Sequence, residues 1–315
     1  MSLKSYIRGF IILWVFMGTL LNAYSLSTTK GYNKFMVATS IELLSLIELM
    51  NRGKVSDTAG PNSLRTMFKK RGYELVSDPI RYKNCNRVVA INHKTKKILV
   101  LYSEVKNYSV KKAIKEANSF SSRKITTIPW LQSSGNKDLK YTSVSKNVLK
   151  EYERFKVHPT GLRTGYPVFV AGYGTPSLYA ALTALNLEVN FNKDVYFYSF
   201  GSPKTGDWRF LEGFYKTVNT QFRIALNRDP IPMLPKKKHN NIHSVGNLLQ
   251  LYFAGVRVPA NKIKPKWKER KLEYHSLSRY KNALIKHLKH CTEKGPSCYK
   301  KGVLAYSADL ERDAK

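Results

Sequence analysis

Short unbroken runs of apolar residues alternate along this chain with longer stretches in which apolar positions recur every three or four residues. The runs Val168–Gly172, Asp194–Phe200 and Phe222–Leu226 are rich in Val, Phe, Tyr and Ile and end in glycine, proline or acidic turns. That pattern predicts buried strands. Ser177–Leu185 predicts the helix that follows the first of them. Lys30–Arg52 carries Ile41, Leu43, Leu44, Leu46, Ile47 and Leu49, the apolar face of a helix packed on the core. A break at Gly60–Asn62 precedes a short helix through Met67 and a hairpin over Arg81–Ser103. Tyr108–Ser119 places Val110, Ala113, Ile114 and Ala117 on one face of a basic helix. Lys146–Phe155 reads as a helix, and His275–His290 as one that buries Leu277, Tyr280, Leu284 and Leu288. Strands alternating with helices predict an α/β fold, a mostly parallel sheet with helices on both faces.

The turns carry the candidate chemistry. Gly172-Tyr173-Gly174-Thr175-Pro176 joins a strand to a helix, the setting of the G-x-S-x-G nucleophile elbow, yet Gly174 stands in the nucleophile slot. Glycine has no hydroxyl to acylate. Thr175 with Pro176 behind it reads as an ordinary helix N-cap, so the turn is expected to be relaxed rather than strained. Downstream come F-G-S-P-K-T-G at Phe200–Gly206, N-R-D-P-I-P-M-L-P at Asn227–Pro235, then His243 and the pair Tyr274-His275.

In order and spacing these segments resemble the class 3 (fungal-type) triacylglycerol lipases, α/β-hydrolases, over about residues 70 to 285. The resemblance puts Asp229 on the triad acid, His275 on the triad histidine and Gly174 on the serine, a vestigial triad. It makes His243 structural. It also aligns Tyr102-Ser103-Glu104-Val105 with the family's F-R-G-T, so that Ser103, Glu104, Val105 and Thr175 form the oxyanion region. A carboxylate at Glu104 would oppose a developing oxyanion. Ser177, Ser199 and Ser202 are expected to point elsewhere or to serve structural turns. The expectation is a secreted lipase homologue with impaired catalysis that binds lipid or another anionic surface. Two other readings stay open: an active lipid esterase using a different nucleophile, and an electrostatic binder of anionic glycan or nucleic acid.

At 315 residues the chain can bury one sizeable core, expected over residues 26–315. Lys4, Arg8 and the apolar Gly9–Leu21 read as a secretory signal through residue 25, or alternatively as a signal anchor. An oxidising route would allow a disulfide between Cys291 and Cys298, leaving Cys85 odd; Cys85 could equally pair with either. Asn107-Tyr108-Ser109 is a glycosylation sequon. The histidines show no metal-ligand spacing, and no cofactor is implied. The formal net charge of +33 favours anionic partners, with basic clusters at Lys236–Lys238 and around Trp267. The same charge also follows from a lysine-rich composition with no partner selected.

Overall fold

The computed structural model describes residues 34–52, 60, 63–105, 109–119, 125–132, 139–140, 142–157, 162, 165–204, 206–226, 228–235, 247–251 and 272–294. The strands are β1 (Glu74–Leu75), β2 (Ile80–Tyr82), β3 (Cys85–Asn92), β4 (Lys97–Glu104), β5 (Ile125–Thr127), β6 (Ser143–Ser145), β7 (Val168–Tyr173), β8 (Val195–Phe200), β9 (Thr220–Leu226) and β10 (Asn247–Leu251). The helices are α1 (Lys34–Arg52), α2 (Leu64–Lys69), α3 (Val110–Ser119), α4 (Pro129–Gln132), α5 (Lys146–Phe155), α6 (Ser177–Phe191), α7 (Trp208–Thr217) and α8 (Leu277–Lys294).

The main sheet runs β1-β3-β4-β7-β8-β9-β10, with β2 also on β3. From β4 to β10 all neighbours are parallel, whereas β1, β2 and β4 pair antiparallel with β3. β5 and β6 form a separate antiparallel pair. The predicted mostly parallel sheet is therefore present, with an antiparallel flank supplied by the predicted hairpin. That hairpin is in fact three strands, because Lys83 and Lys96 both take positive φ at tight turns.

Period-two alternation splits the strand side chains between two cores. Ile98, Val100, Tyr102, Val168, Val170 and Phe197 pack with α5, α6 and α7. Leu99, Leu101, Phe169, Ala171, Tyr198 and Phe200 pack with α1, α2 and α8. On α1, Leu43, Leu44, Leu46, Ile47 and Met50 are buried. At roughly 1.5–3 kcal/mol for each large apolar side chain buried, they make α1 an integral layer of the domain. Lys281 on α8 ties to Glu48 on α1 at 2.7 Å.

The expected leader, the sequon at Asn107, His243, the basic clusters with Trp267, and Cys298 lie outside the described residues, as does the side chain of Cys291. Cys85 is a buried free thiol.

Candidate functional site

Parallel strands deliver their C-terminal ends, and the loops after them, to one edge of the sheet, where ligands of open α/β folds bind. β7 reaches that edge at Tyr173, and the chain then turns through Gly174 at φ +68° into α6. The turn is thus a left-handed elbow that glycine tolerates at little cost. The expected relaxed cap is not what forms. Pro176 takes the N-cap position with no side-chain cap bond. Thr175 instead turns its hydroxyl toward two carboxylates, 3.4 Å from Glu104 Oε1 and 3.3 Å from Glu116 Oε2. The hydroxyl is oriented as a donor to these charged acceptors and does not cap the helix N–H groups.

After β9, Asp229 is fully buried. Its Oδ1 accepts the Ile231 N–H at 2.8 Å, the turn-forming role its place before Pro230 suggests. Its Oδ2 accepts the Tyr280 hydroxyl at 2.6 Å and faces His275 Nδ1 at 2.8 Å. Tyr280 lies on α8 just beyond His275, and its oxygen also accepts the Leu226 N–H at 3.3 Å. Burial first, then the Asp229 charge, holds the Tyr280 phenol well above its ordinary pKa, so it remains a donor. Gly201, at φ +62° after β8, lets the group assemble. A Cβ there would lie 3.0 Å from both His275 Cε1 and the Tyr280 hydroxyl.

The other side of the imidazole meets Glu104. By strand alternation Ser103 and Glu104 leave opposite faces of β4. Ser103 donates to Asn51 on α1 at 3.1 Å, and the Val105 N–H pairs with Asn84 O at 3.0 Å, so neither joins the centre. Of the expected oxyanion region, Glu104 and Thr175 come together. Glu104 Oε1 accepts the Thr175 N–H at 3.0 Å, and Oε2 lies 3.4 Å from His275 Nε2. The latter is an ion-pair distance without hydrogen-bond alignment, and Nε2 has no hydrogen-bond partner among the described residues. Among the described residues the buried hydroxyls of Ser177 and Ser199 have no hydrogen-bond partner, and Ser202 donates to Pro203 O; none bonds the imidazole.

His275 is therefore flanked by two carboxylates and stacks on Tyr173 with ring centroids 5.0 Å apart and planes at 16°. Burial disfavours its charged form, but Asp229 first and Glu104 second outweigh it and lift the pKa to about 10. The ring is an imidazolium at neutral pH. A Cβ built on Gly174 would lie 2.2 Å from Glu104 Oε1 and 2.4 Å from its Cδ. The carboxylate fills the space that any side chain at position 174 needs.

Residues 96–239 match the family Lipase (class 3). The fold matches solved lipases. One is a triacylglycerol lipase with a serine-protease triad at its catalytic centre, at 17% identity and a TM-score of 0.50 over 69% of this chain and 80% of that one. Another is the Lip2 lipase of Yarrowia lipolytica, at 17% and 0.50 over 73% and 83%. Residues 96–239 thus resemble the class 3 lipases, and the described domain has the α/β-hydrolase fold of the solved ones. No curated protein matches the chain. Asp229 and His275, far apart in sequence, meet at this edge of the sheet. In the sequence Tyr280 reads only as a buried helix position, and Tyr173 as the residue that replaces the histidine usual before the nucleophile slot. Their roles, donor to Asp229 and platform for His275, needed the fold. Beyond Thr175 and Pro176 lies a groove of about 610 Å³, also lined by Lys83, Lys112, Lys115 and Glu116. Among the described residues no cluster of His, Cys, Asp and Glu is arranged to hold a metal ion.

Proposed function

We propose that this lipase homologue binds anionic lipid surfaces and does not turn over esters at its triad-like centre. One observation carries the catalytic half: the Glu104 carboxylate stands where a nucleophile's side chain would have to begin. The electrostatics point the same way. A general base must be unprotonated to take a hydroxyl proton, and His275 is held in its charged form. The Thr175 N–H, the donor an oxyanion would use, is already engaged. Support for lipid comes from the net charge of +33 and from Trp208 and Met233, 54% and 45% exposed on the segments after β8 and β9. Exposed aromatics among basic residues suit a lipid interface.

The purified protein is expected to leave p-nitrophenyl esters of short and long chains at background. It is also expected to escape labelling by a fluorophosphonate and to float with acidic liposomes. Turnover that survives repurification and is blocked by the probe would overturn the catalytic half. Tight binding to heparin or DNA with no flotation would replace lipid by a soluble polyanion.

A further inference from the structure

Glu104 does more than obstruct. Its Oε1 takes the N–H of Thr175, the residue after position 174, which in α/β-hydrolases donates to the oxyanion. Its Oε2 faces His275 Nε2, the nitrogen left over once Nδ1 engages Asp229. Its Cγ, Cδ and Oε1 stand 2.9, 2.4 and 2.2 Å from where a Cβ on Gly174 would sit. One side chain thus covers the place of a nucleophile, the donor for an oxyanion and the free edge of the base. Everything behind it is assembled: Asp229 is tied by Ile231 and Tyr280, and His275 is clamped between Asp229 and Tyr173.

We infer that Glu104 is an internal carboxylate ligand of an intact centre, so that Gly174 and Glu104 form one coupled exchange whose joint reversal, Glu104→Ala with Gly174→Ser, makes a serine hydrolase. The inference rests on the reading that the native centre is inactive, and it assigns that inactivity to occupation rather than disassembly. Gly174→Ser alone sets a Cβ against the carboxylate at a positive φ. Glu104→Ala alone leaves an imidazole and a backbone donor facing a hole shaped for a small carboxylate. In the double variant the hole admits a hydroxyl. Loss of the Glu104 charge also removes one of the two carboxylates that hold His275 protonated.

Two arms test it. The first is fluorophosphonate labelling of the wild type, both single variants and the double variant. In the labelling step the introduced serine oxygen attacks phosphorus, its proton passes to His275 Nε2, the P–O bond forms, and the P–F bond breaks with fluoride leaving. The double variant is expected to label about 10²-fold faster than either single variant, the lower end of what a positioned base supplies. Adding His275→Gln should abolish the gain. The second arm does not depend on a serine at a strained position. Sodium acetate, against sodium chloride at matched ionic strength, should raise the unfolding midpoint of Glu104→Ala in a saturable way. It should leave the wild type and Glu104→Gln unmoved, since both keep the hole filled. A folded double variant that stays unlabelled, or a Glu104→Ala protein indifferent to acetate, overturns the inference while leaving the native protein's inactivity standing. Labelling of the wild type overturns that inactivity instead.

Discussion

Asp229 shows why a carboxylate can sit fully buried at the end of a strand. It accepts from Ile231 and Tyr280 and neutralises against His275, so little of its charge goes unanswered. Removing it strands an imidazolium and a phenol donor together. Asp229→Ala is expected to lower stability by about 3–5 kcal/mol, read from urea unfolding. His275 gives a signed pH dependence. Its folded pKa of about 10 lies above its ordinary 6.5. The stability it contributes is therefore fully present below about pH 6.5 and is lost as pH rises through about 10. Unfolding midpoints should fall across that window, and His275→Gln should flatten the fall. A flat wild-type profile would show that the imidazole is not held charged. Asp229, Glu104, Tyr173 and Tyr280 are the titratable groups that contact or face the ring.

Elements with strong periodicity were plain in the sequence. α5 was read to the residue, and β7, β8 and β9 followed from their apolar runs, because burial on both faces leaves little choice of residue. Termini were less legible. α8 begins after His275 rather than at it, and runs to Lys294. The elbow was misread for a definite reason. Threonine before proline is a good cap by local propensity, but two carboxylates from β4 and α3 draw its hydroxyl to them as a donor, and neither is near it in sequence. Glu104 was legible as an unfavourable charge near an oxyanion site. Its position as occupant depends on the β4–β7 pairing and on the approach of His275, which no local pattern encodes. Gly201→Ala tests the same junction from β8. Its Cβ would press on His275 Cε1 and the Tyr280 hydroxyl, at a φ that side chains rarely adopt. A loss of about 1–3 kcal/mol is expected from the backbone strain, measured by thermal or denaturant unfolding. Ile47→Ala on α1, a fully buried position, should cost about 2–5 kcal/mol.

Across the whole molecule the excess of 54 basic over 21 acidic side chains sets the reach of its field. Each basic residue near an acidic leaflet contributes about 1 kcal/mol, so a handful of engaged lysines supports attachment. Flotation with acidic vesicles should weaken as screening shortens the field from about 10 Å at 0.1 M salt to about 3 Å at 1 M. A salt-resistant fraction is expected if Trp208 and Met233 enter the interface, and Trp208→Ala with Met233→Ala should remove it. Binding that ignores salt altogether would discard the electrostatic account. The pairing of α1 with α8 has a consequence in time. Glu48 and Lys281 are 233 positions apart, yet they clasp two of the helices that cover one face of the sheet. During synthesis α1 leaves the ribosome well before its partner. Until α8 emerges, the apolar stripe of Leu43, Leu44 and Ile47 has only α2 and the strands to lie against, and His275 and Tyr280 do not yet exist to close around Asp229. That face therefore stays incomplete until late in synthesis, and the triad-like centre cannot form before α8 is made.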